Sequence, residues 1–149
     1  MIRDSGFDVP ETLVTTDKAA ALAFWKRHGQ VIYKSVSGVR SIVARLTLDH
    51  RERVDDLANC PTQFQEYIDG TDVRVHVIGD EVFGCEIEST SDDYRYAKPG
   101  DSPGRLRAYA IPPKMARMCR ALAASLDLVV AGTDLRLRRD GSWCCFELK

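Results

Sequence analysis

The sequence predicts an α+β fold, arranged as one domain or two small lobes, and three observations carry the prediction. Two windows have helical spacing: one runs from Thr16 or Asp17 to Trp25, the other from Pro112 or Pro113 to Leu126. Two pairs of strand-like runs close on Gly79-Asp80 and on Asp140-Gly141, which are hairpin signals. The 149 residues are 44% hydrophobic, enough to fill a core.

From the N-terminus, 1–16 reads as an extended leading segment or linker in which Pro10 prevents an early helix. Thr16 or Asp17 then caps the first helix, whose apolar positions Ala20, Leu22, Ala23 and Phe24 lead to Trp25, with Gly29 as its stop. Strand signals follow at Val31 to Tyr33 and Ile42 to Leu48, around a Ser37-Gly38 turn; the polar stretch from Asp49 to Pro61 has no readable period. Gln63 to Ile68 is apolar enough for a strand and breaks at Asp69-Gly70, where a hinge is expected. Val73, Val75 and Val77 alternate with polar residues and return through Val82 and Phe83 to Ile87. Ser89 to Gly104 reads as loop. The second helix places Met115, Met118, Cys119, Leu122 and Leu126 along one face, and its prolines sit in the first turn, where the missing N–H is not needed. A last hairpin, Leu128 to Arg139 and Ser142 to Leu148, ends the chain.

Composition narrows the function classes. The 21 basic and 22 acidic residues nearly cancel, which argues against a sequence-independent electrostatic grip on nucleic acid or on an anionic membrane. No apolar stretch approaches the roughly 18 to 20 residues of a membrane span, and no signal-peptide pattern opens the chain, so a cytoplasmic location is expected. The five cysteines show no C-x-x-C spacing. They read as reduced thiols, with Cys85, Cys144 and Cys145 as small apolar side chains in strand-like runs.

The last hairpin carries the first chemical signal. If Asp140-Gly141 is a two-residue turn, Arg139 faces Ser142 and Asp134 faces Glu147. Opposed side chains of this kind sit about 4.5 to 5.5 Å apart at Cβ, where like charges are destabilising unless compensated. The opposite face then holds Leu135, Leu137, Phe146 and Leu148, so the two carboxylates share the polar side. Such a pair suits Mg²⁺, which takes one or two carboxylates together with phosphate oxygens and water. The alternative is that Arg136 or Lys149, two residues away on the same face, neutralises the pair; both remain open at this point.

The run Gln65-Glu66-Tyr67-Ile68-Asp69-Gly70-Thr71-Asp72-Val73-Arg74 with its hairpin, then Asp93-Tyr94-Arg95, Gly132-Thr133-Asp134-Leu135-Arg136 and Phe146-Glu147-Leu148, resembles the ATP-grasp superfamily. Within it the chain is most similar to RimK-like members, especially the ligases that macrocyclise ribosomal peptides of the microviridin (graspetide) type. The likeness runs from Pro10 to the end. It implies two α+β lobes with antiparallel sheets clasping ATP, 17–65 forming the first and 66–149 the second.

The resemblance also implies roles. Lys34 would contact ATP phosphates, where a compact ammonium meets an anion; from the residue alone it reads rather as a surface lysine. Glu66, Tyr67 and Ile68 would hold adenine through backbone groups, and Asp69 would reach the ribose. Arg74 and Arg95 would act in catalysis on the transferred phosphoryl group, a guanidinium being suited to multidentate phosphate contact. Arg74 has alternative partners in Asp72 and Glu88, and His76, on the same strand face, reads as structural. Asp134 and Glu147 would bind Mg²⁺. The implied activity is an ATP-dependent carboxylate-amine or carboxylate-alcohol ligase working through an acyl phosphate, with a carboxylate-bearing substrate such as a precursor peptide; a homodimer is left open.

Two departures support an alternative from another class, a non-catalytic nucleotide- or peptide-binding module. Lys149 stands where these ligases usually have an asparagine that completes the Mg²⁺ site. The preceding domain and short C-terminal continuation usual in the family are not in these 149 residues, which therefore read as a fragment or degenerate copy.

Overall fold

The computed structural model describes residues 1–36, 42–89 and 104–149, and the side chains of all of these except 51–53. Contacts divide the described chain into two units. One comprises 11–67; the other combines 1–10 with 68–89 and 104–149.

The 11–67 unit is a four-stranded antiparallel sheet with one helix. Strands β1 (Thr12–Thr15), β2 (Val31–Ser35), β3 (Ala44–Arg45) and β4 (Thr62–Glu66) lie in the order β1-β4-β2-β3. Helix α1 (Lys18–His28) begins where the Asp17 carboxylate accepts the Ala19 N–H at 2.8 Å, satisfying one orphan donor of the first turn. It ends at Gly29, whose φ of +71° a residue with a Cβ would adopt at a cost. Lys26, Arg27 and His28 occupy its last turn, where positive charge complements the helix dipole. Ala21 and Phe24 pack on Val31 and Phe64 to form this unit's core. Residues Leu48–Asn59 form a 3₁₀ segment opened by a reciprocal pair: the Thr47 N–H donates to His50 Nδ1 at 3.1 Å and the His50 N–H donates to the Thr47 side chain.

The other unit is a five-stranded antiparallel sheet backed by one helix. Strands β5 (Thr71–Ile78), β6 (Glu81–Glu88), β7 (Arg105–Tyr109), β8 (Val130–Leu137) and β9 (Trp143–Leu148) lie in the order β7-β6-β5-β8-β9. Period-two patterning builds its core: Val73, Val75 and Val77 of β5 and Ala131, Thr133 and Leu135 of β8 are buried on one face. Helix α2 (Pro113–Ala124) covers that face with Met115, Cys119, Leu122 and Ala123, as its sequence spacing predicts. Gly70 is obligatory in shape: its φ is +149°, and a Cβ there would lie 2.2 Å from the Leu137 carbonyl oxygen.

Several expectations need correction. Where 1–16 reads as a leading linker, 1–10 is part of the five-stranded unit: Phe7 is buried in its core, and Asp8 bridges Cys144 in parallel, its carbonyl accepting the Cys145 N–H at 2.8 Å. Thr12–Thr15 is strand, pairing β4. The strand expected over Ile42 to Leu48 is confined to Ala44–Arg45, and β7 has no counterpart in the sequence prediction. The Ser37-Gly38 turn and nearly all of the loop expected from Ser89 to Gly104 lie outside the described residues. All five cysteines are free; Cys119, Cys144 and Cys145 are buried and Cys60 is exposed. Among the described residues, no helix is long and apolar enough to cross a membrane.

Candidate functional site

The face of the five-stranded sheet opposite α2 carries the charged residues of its three strands β5, β8 and β9. The burial of Val73, Val75 and Val77 turns Asp72, Arg74 and His76 outward; burial of Thr133 and Leu135 does the same for Asp134 and Arg136. The β5–β8 register then opposes unlike charges, Asp72 to Arg136 and Arg74 to Asp134.

Asp134 does face Glu147 across β8 and β9, but not by the turn inferred from sequence. The hairpin loop has three residues, not two: Arg138 N–H donates to Ser142 O at 2.9 Å, Gly141 N–H donates to Arg138 O at 3.0 Å, and Gly141 has φ +84°. That loop aligns Leu137 with Trp143, Arg136 with Cys144 and Leu135 with Cys145, one residue off the predicted register. A β-bulge then leaves Phe146 without a partner on β8 and restores Asp134 to Glu147. The bulge also corrects the expected apolar face. Phe146 lies with the charged residues, its ring 5.3 Å from the Arg136 guanidinium carbon.

The sequence left two candidates to neutralise Asp134, and the structure adds a third. Arg74 binds Asp134 with two parallel hydrogen bonds, Nε to Oδ1 at 2.6 Å and Nη2 to Oδ2 at 2.8 Å. Lys149 Nζ lies 3.2 Å from Glu147 Oε2 and 3.8 Å from Asp134 Oδ2. Arg136 goes elsewhere: Nε donates to Asp72 Oδ1 at 2.8 Å and Nη1 to the Ile68 carbonyl at 2.6 Å. Burial raises the Asp72 pKa above its ordinary value, and the Arg136 charge offsets this only in part. Glu88 pairs with Arg107 at 3.1 Å instead of with Arg74.

The remaining predicted residues fall as follows. Lys34 lies inside β2, opposite Gln63, and no ion pair to it is found among the described residues. Glu66 ends β4; its N–H donates to Glu11 O at 3.0 Å and its carboxylate accepts the Glu11 N–H at 2.9 Å. Tyr67 N–H donates to Gln30 O at 3.0 Å, and the Arg45 guanidinium sits 4.1 Å above the Tyr67 ring. Asp69 pairs with Arg139 at 2.8 Å, both side chains exposed. Arg95, with Asp93 and Tyr94, lies outside the described residues. Arg74, Asp134 and Glu147 thus share one sheet face, while Lys34, Glu66 and Tyr67 belong to the other unit.

Two carboxylates meeting on rigid strands, partly open to solvent, are a donor set that fits Mg²⁺. Among the described residues there is no group of three or more His, Cys, Asp or Glu side chains that could hold a metal; Mg²⁺ held by one or two carboxylates completes its shell with water and phosphate oxygens.

The sequence matches no protein-family profile. It also matches no curated protein. Solved structures do match. The ATP-grasp ligase PsnB, in complex with a phosphomimetic variant of its minimal precursor, Mg and ADP, is 32% identical, with a TM-score of 0.83; the match covers 99% of this chain and 47% of that one. The macrocyclase MdnC of Microcystis aeruginosa MRC, bound to its precursor peptide MdnA, is 19% identical with a TM-score of 0.82, covering 99% and 49%. The D-Ala:D-Ser ligase VanG of Enterococcus faecalis is 17% identical with a TM-score of 0.68, again covering 99% and 49%. At 19% and 17% the likeness shows the fold alone. The chain spans about half the length of each of these proteins.

Proposed function

Because this chain has the ATP-grasp fold and is similar to peptide-macrocyclising ligases of that superfamily, we propose that it forms the nucleotide-binding part of an ATP-dependent carboxylate-amine or carboxylate-alcohol ligase. The observation that carries this reading is the open charged face on which Asp134 opposes Glu147 beside Arg74. Asp134 and Glu147 are the residues that would hold Mg²⁺, which, when bound with ATP, supplies charge neutralisation between phosphate oxygens.

In the proposed reaction a substrate carboxylate oxygen attacks the γ-phosphorus of ATP, releasing ADP and leaving an acyl phosphate. An amine or hydroxyl then attacks the acyl carbon, losing its proton as phosphate departs. No side-chain nucleophile of the protein is needed; the chain contributes position and charge. Arg74 is assigned to the phosphoryl group, oriented by the two hydrogen bonds it gives Asp134. Arg95 is assigned the same task, and Lys34 the phosphates of ATP. The adenine contact is assigned to backbone N–H and C=O groups of Glu66 to Ile68 other than the Glu66 and Tyr67 N–H groups, which are spent on Glu11 and Gln30. Asp69 is assigned to the ribose, a role that requires release from Arg139.

The proposed substrate is a ribosomal precursor peptide with acidic side chains. PsnB, 32% identical and solved with a variant of its minimal precursor, supports that choice. A cytoplasmic location belongs to the same proposal.

Incubation of the protein with ATP, Mg²⁺ and a candidate acidic peptide tests the reading: ADP and phosphate should appear, with loss of one water per bond from the peptide mass. A non-catalytic nucleotide-binding module is the second reading, favoured by the Lys149 ammonium beside both carboxylates. It predicts nucleotide binding with no ADP formed.

A further inference from the structure

We propose that the Lys149 ammonium is an exchangeable counter-ion for the Asp134–Glu147 pair, so that a divalent cation binds weakly alone and tightly only with a phosphate anion that takes over the ammonium. The inference rests on the nucleotide and metal reading above and names a regulation of that same site.

Charge on the face comes first. Arg74 and Lys149 supply two positive charges against the two negative charges of Asp134 and Glu147. The four-residue group is therefore neutral as it stands, and adding a divalent cation without displacing anything would leave it doubly positive. Displacing one of the two cations lowers that excess.

The geometry separates them. Arg74 holds Asp134 through both carboxylate oxygens, and its side chain is 30% exposed. Lys149 Nζ stands 3.2 Å from Glu147 Oε2 and 3.8 Å from Asp134 Oδ2, without the paired hydrogen bonds that Arg74 makes, and its side chain is 55% exposed. A single-point contact on a flexible, hydrated stem is the easier to break, because water replaces most of what is lost. Lys149 is also anchored at its root. Its N–H donates to Gly132 O at 2.9 Å and its carbonyl accepts the Gly132 N–H at 2.8 Å, so a displaced ammonium stays within one side-chain length of the carboxylates.

This tether creates the coupling. Phosphate oxygens on a cation held by Asp134 and Glu147 would bring negative charge within reach of the released ammonium. Nucleotide would thereby raise metal affinity, and metal would raise nucleotide affinity by the same factor. Metal alone has no such anion to offer and must compete with the ammonium unaided.

The experiment uses Mn²⁺ as probe, with free Mn²⁺ read from its paramagnetic resonance signal, for wild type and Lys149→Met, each with and without a non-hydrolysable ATP analogue. Circular dichroism confirms that the variant folds. Lys149→Met should bind Mn²⁺ alone about tenfold more tightly than wild type, the size expected for removing one partly screened charge at this range. The factor by which the analogue improves Mn²⁺ binding should be smaller in the variant. Equal Mn²⁺ affinity of the two proteins without nucleotide overturns the inference, and if the analogue still promotes Mn²⁺ binding in both, the ligase reading survives it. Absence of Mn²⁺ uptake in both proteins, with or without the analogue, overturns the inference and the metal reading together.

Discussion

Asp134→Asn is the variant that most directly weighs the ion pair against the repulsion on this face, because Asp134 has Arg74 on one side and Glu147 on the other. Removing its charge relieves repulsion from Glu147 and also removes the acceptor of two short hydrogen bonds from Arg74. The exposures decide which dominates. At 30% and 26%, the pair lies between exposed ion pairs, worth about 0.2–1 kcal/mol, and buried ones, whose breaking costs about 3–5 kcal/mol. With part of the loss returned by reduced repulsion, the net destabilisation should be about 1.5 kcal/mol. In a protein of this size that lowers the melting temperature by about 3–6 °C. Melting curves without metal, in low salt, measure it. An Arg74→Met partner variant completes a double-mutant cycle whose coupling should exceed the single loss, because the relief of Glu147 repulsion cancels in the cycle. A metal-free melting temperature that stays the same or rises in Asp134→Asn would refute the assignment of Arg74 as the partner, because repulsion from Glu147 would then outweigh the ion pair.

The remaining predictions concern groups around this face and beneath it. Thr133 Oγ1 is fully buried with no ordinary hydrogen-bond partner among the described residues, the Cys119 thiol beside it being a weak one, so Thr133→Val should raise stability by about 1 kcal/mol in denaturant titration. Burial pushes the thiols of Cys119 to about 11 and of Cys145 to about 12, so a thiol reagent at neutral pH should label exposed Cys60 quickly and these two only after unfolding. Asp72 holds its proton more tightly folded than unfolded, so its contribution is present below the ordinary carboxylate pKa and lost as pH rises through the raised folded value. The stability of wild type minus that of Asp72→Asn should therefore decline from about pH 4 upward; an increase would mean that Arg136 outweighs burial.

What the sequence made legible was what local chemistry determines. The valine alternation of β5 and the Gly79-Asp80 turn give the β5–β6 hairpin directly, and Asp17, Gly29 and Pro113 bound the helices close to where they are observed. Strand β7 escaped because Arg105–Tyr109 is an edge strand with little burial and so no apolar period to read. Strand β1 escaped because Pro10 reads as a break while the partner that makes Thr12–Thr15 a strand, β4, lies fifty residues away. Distance in sequence also hid the neutralising partner of Asp134. Lys149 and Arg136 are its neighbours by local spacing, whereas Arg74 reaches it through the β5–β8 register, which no hairpin rule specifies.

The Asp134–Glu147 pairing shows why a correct contact can follow from an incorrect turn. A three-residue loop displaces the register by one, and the bulge at Phe146 displaces it back before Asp134 is reached. Without the bulge, continuation of the Leu135–Cys145 alignment would set Asp134 against Phe146 and turn Glu147 away. The extra residue therefore places the second carboxylate on the charged face and brings Phe146 under Arg136. It also leaves Leu148 opposite buried Thr133, so that the last residue, Lys149, pairs with Gly132 and its side chain returns to the two carboxylates. One local irregularity thus fixes both the carboxylate pair and the ammonium beside it, which is why, on the proposed reading, the metal response of this face should depend on Lys149 as well as on the carboxylates.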